Sequence, residues 1–180
     1  MSERNRLLEL LAERSLRRGD FVLASGKRSP SYIDARLTTM SGTGQQLIGE
    51  LGWAALTEAG WKPRAIGGLT LGADPVAYAI AHVSARHGQE LDAFTVRKEA
   101  KTHGTGKLIE GVFQSGWPVV IVEDVITTGE SAVRALQAVR AAGASVLGVL
   151  AVVDREEGGS ERLQAEGVSV RSLARVSELL

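Results

Sequence analysis

Apolar runs alternate along the chain with segments in which apolar positions recur at helical spacing. Four runs rich in valine, isoleucine and leucine have the composition of strands buried on both faces of a parallel sheet. They lie near residues 64 to 69, 91 to 97, 118 to 123 and 145 to 153. Helices are predicted over residues 4 to 17 and 41 to 60, from about Pro75, and from Ser131 to an end at Gly143. This alternation predicts an α/β fold with a central parallel sheet flanked by helices.

Shorter elements are predicted at the two ends of the chain. The first helix should end at Gly19, and the segments FVL and SYIDARL should then form two short strands around the turn SGKRSP. The last segment, VSVRSLARVSELL, predicts a short strand and a helix that packs near the N-terminus. With 180 residues, the chain is long enough for one α/β domain with a small appendage.

The most informative stretch is VVIVEDVITTGES, from Val119 to Ser131. Glu123 and Asp124 place two carboxylates at the end of a buried strand. The following loop supplies hydroxyls and one glycine, at Thr127, Thr128, Gly129 and Ser131. A ribose diol needs acceptors, whereas a phosphate needs donors such as hydroxyls and the free amides of a helix N-terminus. The stretch therefore fits a ribose 5-phosphate, although an ordinary strand-to-helix turn remains the alternative. It contains no GxxxxGK[ST] phosphate loop.

Three other segments offer related chemistry. The glycine-rich turn GGLTLGADP could bring backbone amides close to a pyrophosphate. The loop RKEAKTHGTGK carries five basic side chains and could close over a polyphosphate, with Gly104 and Gly106 as hinges. Arg155 follows a buried strand and should lie at the same sheet edge as Asp124. The alternatives are a plain turn, a solvated basic loop and a surface arginine.

Composition narrows the function further. Lys plus Arg and Asp plus Glu are equal at 21 each, so bulk charge gives no reason to expect nucleic-acid or membrane binding. The absence of cysteine excludes disulfides, thiolate catalysis and cysteine-ligated zinc, and it fits a cytoplasmic protein. The charged N-terminus has no signal-peptide pattern, and no apolar run reaches the roughly 18 residues that would span a membrane. We therefore expect a soluble protein without an export signal.

These motifs, over about residues 20 to 160, resemble the orotate phosphoribosyltransferase family of type I phosphoribosyltransferases. The similar segments are FVLASGKRSPSYID, GGLTLGADP, RKEAKTHG, EDVITTGES and VDREEGG. In the first segment the positions that match are Ser25, Gly26, Ser29, Tyr32 and Asp34. One position departs from the family pattern, because Ala24 stands where several members carry lysine. Lys27 is the candidate to compensate.

The resemblance implies a type I phosphoribosyltransferase fold in which residues 1 to 180 form one domain. A small hood of about residues 1 to 36 and 155 to 180 would cover a core of residues 37 to 154. It further implies that phosphoribosyl pyrophosphate (PRPP) and orotate are converted to orotidine 5′-monophosphate and pyrophosphate in de novo pyrimidine synthesis. Mg²⁺ would be held mainly through PRPP and water, with no direct protein ligand. A homodimer would share its lid residues across the interface.

The resemblance also assigns site residues. The catalytic residues would be Lys98, Lys101, His103 and Asp124. PRPP would be bound by Arg97, Lys98, Lys101, His103, Glu123, Asp124, Val125, Ile126, Thr127, Thr128, Gly129, Glu130, Ser131, Thr70, Gly72 and Ala73. Orotate would be bound by Thr127, Arg155, Tyr32, Ser25 and Lys27.

Two other functions are weighed against this one. A PRPP-sensing regulator would lack the cationic lid or carry a DNA-binding extension, and here the lid motif is present while no such extension is visible. A phosphoribosyltransferase acting on a purine or another base would share the EDVITTGES motif but not FVLASGKRSP or VDREEGG.

Overall fold

The computed structural model describes residues 1–22, 26, 28–99 and 107–180. Within these residues the chain forms a six-stranded sheet, a separate two-stranded hairpin and six α-helices. The strands are β1 (Leu16–Val22), β2 (Arg28–Ile33), β3 (Ala65–Leu69), β4 (Asp92–Val96), β5 (Ile109–Gly111), β6 (Pro118–Ile126), β7 (Ser145–Asp154) and β8 (Ser169–Arg175). The helices are α1 (Glu3–Arg14), α2 (Arg36–Thr39), α3 (Gly42–Glu58), α4 (Ala73–Arg86), α5 (Glu130–Ala141) and α6 (Gly159–Ala165), followed by a 3₁₀ helix (Val176–Glu178).

The large sheet has the strand order β5-β4-β3-β6-β7-β8. Neighbouring strands are parallel except for β5, which runs antiparallel to β4 at the edge. The four strands predicted from the apolar runs are β3, β4, β6 and β7, so the central parallel sheet is confirmed. All four lie next to one another, because β3 pairs with β4 and β6, and β6 also pairs with β7.

Helices cover both faces of the sheet, and successive side chains of a central strand pack alternately into the two cores. Val120 and Val122 of β6 pack in one core with helices α1, α3 and α4. Val119 and Ile121 face the other way and pack with α5 and α6. Because successive side chains of a strand point to opposite faces, a sheet covered on both sides needs an unbroken apolar run. Leu136 of α5 is fully buried in the second core, as expected for the apolar face of an amphipathic helix.

Several boundaries differ from the predictions. The first helix ends at Arg14 rather than near residue 17, and Gly19 lies inside β1. The reason is tertiary, because Leu16 pairs with Ile33 in the hairpin, and Ser15 makes a buried 2.7 Å hydroxyl–hydroxyl hydrogen bond with Thr38. These contacts outweigh the helical periodicity of the leucines.

The strand predicted over SYIDARL stops at Ile33, and the short helix α2 follows. The C-terminal helix is only the 3₁₀ turn at Val176–Glu178, which does contact the N-terminal helix through a 2.6 Å Arg4–Glu178 ion pair. Strand β8 belongs to the main sheet, whereas the β1–β2 hairpin is separate from it. The division into core and hood stays a prediction. Among the described residues, no helix has the length and apolar character to cross a membrane.

Candidate active site

A cavity of about 440 Å³ opens where β3, β6 and β7 end. These parallel strands bring their carboxyl ends to one edge, where ligand sites of α/β sheets occur. A second cavity of about 360 Å³ adjoins it and shares Lys98, Glu123 and Thr127 with it. The predicted site residues that line the first cavity are Tyr32, Thr70, Gly72, Lys98, Glu123, Asp124, Val125, Thr127, Thr128, Ser131 and Arg155. Those that line only the second are Ile126, Gly129 and Glu130.

The loop between β6 and α5 forms one wall of both cavities. Gly129 has φ of 75°, a left-handed conformation that favours glycine, and α5 begins at the next residue. A Cβ on Gly129 would lie 2.8 Å from the carbonyl oxygen of Gly159, and a Cβ on Gly159 would lie 2.5 Å from that of Thr127. The loop therefore packs backbone to backbone against the start of α6.

Positive charge lies beside this loop. Lys98 lines both cavities, and Arg134 lines the second one. Arg134 Nη2 donates a 2.9 Å hydrogen bond to the Lys98 carbonyl, which ties helix α5 to the segment after β4. Hydroxyls, two cations and the N-terminus of α5 together make this end of the site suitable for a phosphate.

The two carboxylates at the end of β6 have different surroundings. Glu123 is 4% exposed, and its pKa is raised well above the ordinary glutamate value by burial and then by the nearby charge of Asp124. Its Oε1 atom has no hydrogen-bond partner among the described residues. Burial also raises the pKa of Asp124, but the 2.8 Å hydrogen bond from the Val125 amide and the charge of Arg36 oppose this shift. Glu123 thus offers an unpaired acceptor, and Asp124 is the more readily ionised of the pair.

The turn after β3 approaches Asp124 closely. A Cβ on Gly72 would lie 2.5 Å from Asp124 Oδ1, so only glycine fits without displacing the carboxylate. The Thr70–Leu71 peptide bond is cis. Thr70 Oγ1 donates a 2.6 Å hydrogen bond to Asp74, and Thr95 donates a 2.8 Å bond to the same carboxylate. This glycine-rich turn is therefore fixed against both β6 and β4.

Arg155 directly follows β7 and lies at the same edge of the sheet as Asp124, because β6 and β7 are parallel. It is 7% exposed, and its Nη2 atom lies 3.3 Å from Ser29 Oγ and 3.4 Å from the Ser31 carbonyl oxygen. It also forms a 2.8 Å ion pair with Glu157. Tyr32, on the same hairpin strand as the two serines, lines the cavity and is 41% exposed. The hairpin thus contacts Arg155, which lines the cavity.

Sequence reasoning gave no role in the site to two charged residues of the cavity wall. Asp34 and Arg36 both line it and form a forked ion pair, with nitrogen–oxygen distances of 2.8 and 3.1 Å. The side-chain hydrogen bond from Arg36 holds the pKa of Asp34 below its ordinary value, despite partial burial. Asp34 was recognised as a motif position, and an arginine two residues later was the available signal for its partner.

Some assigned residues do not join this arrangement. Ala73 is buried at the start of α4, and Arg97 directs Nε to the Glu99 carbonyl at 3.4 Å; neither lines the two cavities. Ser25, Lys27, Lys101 and His103, together with Ala24, lie outside the described residues. Within the described ranges, no group of three or more His, Cys, Asp or Glu side chains could hold a metal ion.

Comparison with known proteins agrees with this geometry. No family model matches the chain. The chain is 48% identical to orotate phosphoribosyltransferase of Aquifex aeolicus, with 100% of this chain and 99% of that protein covered. The crystal structure of orotate phosphoribosyltransferase from Mycobacterium tuberculosis H37Rv in complex with Fe(III) dicitrate superposes with a TM-score of 0.88 at 43% identity, covering 99% of both chains. The same enzyme in complex with 5-phospho-α-D-ribosyl 1-diphosphate gives a TM-score of 0.84 at 40% identity, again with 99% of both chains covered.

These similarities extend over the whole chain and include its fold. They confirm the resemblance drawn from the sequence motifs and the type I phosphoribosyltransferase fold that it implied. The chain belongs to the orotate phosphoribosyltransferase family.

Proposed function

We propose that this chain transfers the 5-phosphoribosyl group of PRPP to orotate, giving orotidine 5′-monophosphate and pyrophosphate in de novo UMP synthesis. One observation carries the proposal. A single cavity is lined by the carboxylates of Glu123 and Asp124, by the buried Arg155, and by Thr127, Thr128 and Ser131 of the loop after β6. A ribose, a phosphate and an anionic base each find complementary groups there.

PRPP occupies this cavity with its ribose hydroxyls toward Glu123 and Asp124. The unpaired Glu123 Oε1 supports this placement, because a buried acceptor without a partner is costly and a ribose hydroxyl would satisfy it. The 5′-phosphate lies in the loop of residues 125 to 131, and the pyrophosphate lies against Thr70 and Gly72. Lys98 lies between these two regions and can pair with either phosphate group.

The reaction breaks the bond between C1′ and the pyrophosphate oxygen, and the bonding electrons leave with pyrophosphate. The ribose becomes positively charged as the leaving group becomes more negative, so charges placed near each region stabilise the transition state. Asp124 stabilises the positive charge that develops on the ribose. The negative charge of the leaving pyrophosphate is stabilised by Lys98, Lys101 and His103. A ring nitrogen of orotate then forms the new bond to C1′ and gives up its proton to water. Orotate already carries negative charge, so positioning and electrostatics are the main contribution of the protein.

Mg²⁺ would accompany PRPP and would supply positive charge to the pyrophosphate. The acidic pair and the hydroxyls of the cavity are all oxygen groups, which suit a hard cation. The cation would be held mainly through PRPP and water, with Asp124 as the nearest carboxylate that is readily ionised.

Orotate lies near Arg155, because its carboxylate distinguishes it from uracil and an arginine fork matches that group. Thr127 and Tyr32 line the same cavity and complete the base site. Ser25 and Lys27 belong to it on sequence grounds alone.

The active form is a homodimer in which Lys101 and His103 act in the neighbouring subunit's site. Exposed apolar side chains beside the cavity support an interface there. Leu37, Met40 and Leu71 are 48%, 51% and 54% exposed and line a groove of about 450 Å³.

The absence of cysteine is consistent with a cytoplasmic enzyme.

A direct assay tests the reaction. The protein is incubated with PRPP, Mg²⁺ and orotate, and separately with adenine, guanine, hypoxanthine or uracil in place of orotate. We expect release of pyrophosphate in the mixture that contains orotate and none in the mixtures that contain another base. Turnover of a purine base in preference to orotate contradicts the proposed specificity, and PRPP binding without turnover of any base points to the PRPP-sensing alternative.

A further inference from the structure

We propose that Glu157 is the resident counter-ion of Arg155 and that the carboxylate of the incoming base must displace it. Glu157 would then tune the affinity for the base, because it sets how strongly the base carboxylate must compete for the arginine. This inference rests on the proposed role of Arg155 in binding orotate.

Arg155 needs a counter-ion when no base is bound. Its side chain is only 6% exposed, and its contacts with Ser29 and the Ser31 carbonyl are to neutral oxygens. A buried charge without an opposite charge is strongly destabilising. Glu157 supplies the opposite charge at 2.8 Å.

The guanidinium nitrogens of Arg155 differ in the number of acceptors that they face. Nη2 has two hydrogens but lies near three acceptors, namely Glu157 Oε1 at 2.8 Å, Ser29 Oγ at 3.3 Å and the Ser31 carbonyl oxygen at 3.4 Å. Nε, by contrast, has no hydrogen-bond partner among the described residues. A carboxylate that binds as a fork needs two neighbouring donors, and Nη2 belongs to both such pairs of a guanidinium, Nε–Nη2 and Nη1–Nη2. A base carboxylate that binds as a fork therefore competes with Glu157 for Nη2.

Glu157 is the partner that can move. Its side chain is 28% exposed, against 6% for Arg155, so its carboxylate can be released into water at little cost. Gly158 follows with φ of 89°, and no heavy atom lies within 4 Å of where its Cβ would stand. Arg155 is held in place by strand β7 and by the hairpin serines. The exchange therefore moves the glutamate and leaves the arginine in position.

The exchange favours a base that carries a carboxylate. Such a base replaces one ion pair with another, so Arg155 stays neutralised throughout. A base without a carboxylate, such as uracil, would have to leave Glu157 in place or bury the arginine unpaired. Glu157 thus holds Arg155 in the free protein and weakens the binding of bases that carry a carboxylate, without affecting uncharged bases.

Glu157→Gln tests this proposal because it removes the charge and keeps the shape. Orotate should bind about threefold to tenfold more tightly by isothermal titration, the range expected for losing a partly exposed competing ion pair. PRPP affinity should be unchanged, and uracil should gain nothing. The rise in melting temperature on adding orotate should also be larger than in the unmodified protein, because only the free state loses an ion pair.

The matched control is Glu156→Gln, which alters the neighbouring glutamate. Glu156 accepts a 3.0 Å hydrogen bond from the Ser177 amide and is not paired with Arg155. It should leave orotate affinity unchanged. Weaker or unchanged orotate binding by Glu157→Gln would overturn the proposal, since the glutamate would then only hold the arginine in place or not influence it.

Arg155→Ala separates this inference from the proposed function. If it weakens orotate binding while Glu157→Gln has no effect, only the role of Glu157 fails. If orotate affinity is the same without Arg155, the proposed base site itself is wrong.

Discussion

Gly72→Ala should damage the site without damaging the fold. Gly72 has φ of −63° and ψ of −39°, an ordinary helical conformation that alanine adopts without strain. The added Cβ, however, would lie 2.5 Å from Asp124 Oδ1 and 2.6 Å from its Cγ. The carboxylate must move, and it then gives up its 2.8 Å hydrogen bond from the Val125 amide. The displaced carboxylate also loses its proposed hydrogen bond from the ribose, and because a hydrogen bond to a charged group contributes about 1.5 to 3 kcal/mol, kcat/KM for PRPP should fall by about tenfold to 150-fold.

Steady-state kinetics with varied PRPP measures the effect, and thermal unfolding checks the fold. Gly42→Ala is the matched control, because Gly42 also stands at the start of a helix and its Cβ would have no neighbour within 4 Å. The double variant Gly72→Ala/Asp124→Ala should show much less than the sum of the two single losses, since both act through one carboxylate. Full activity of Gly72→Ala, or strict additivity in the double variant, would refute the reasoning.

Other predictions address the acidic pair and the lid. Asp124→Asn should lower kcat by about tenfold or more with an unchanged melting temperature, and normal turnover would remove Asp124 from the mechanism. Mixing Lys101→Ala with Asp124→Asn should give more activity than the mean of the two separate variants if the sites are shared, and mixed dimers with only that mean activity would argue against sharing. Because burial raises the pKa of Glu123, the folded state keeps a proton that the unfolded state releases, so stability falls as pH rises above the ordinary glutamate value. Glu123→Gln should therefore raise the melting temperature at neutral pH but not below about pH 4. The control Glu9→Gln, on the exposed face of α1, should leave the melting temperature unchanged at both pH values. Equal shifts for Glu123→Gln at both pH values would contradict a raised pKa for Glu123.

The central strands and the polar loop after β6 could be predicted because their signals are local. An unbroken apolar run such as that of β6 is required of a strand covered on both faces, and the polar residues that follow it mark the strand end. The position of Arg155 also followed from a general rule, since parallel strands share one carboxyl edge.

What the sequence left open depends on contacts between distant segments. Nothing near Leu16 indicates that it will pair with Ile33 rather than continue α1. The approach of Gly72 to Asp124 joins positions 72 and 124, and neither pattern alone reports the distance between them. The short strand β5 has only three residues, too few for a periodic signal. The pairing of Arg155 with Glu157 is likewise a matter of side-chain geometry that the VDREEGG motif does not specify.

The contact between Gly129 and Gly159 fixes the spacing between the loop after β6 and the segment after β7. These two segments touch through glycine backbone atoms and the Ile126 side chain. Both glycine positions already hold the smallest residue, so a larger residue at one cannot be offset by a smaller residue at the other. Sequence change can therefore alter the groups that line the cavity on either side of this contact more easily than the distance between the two segments.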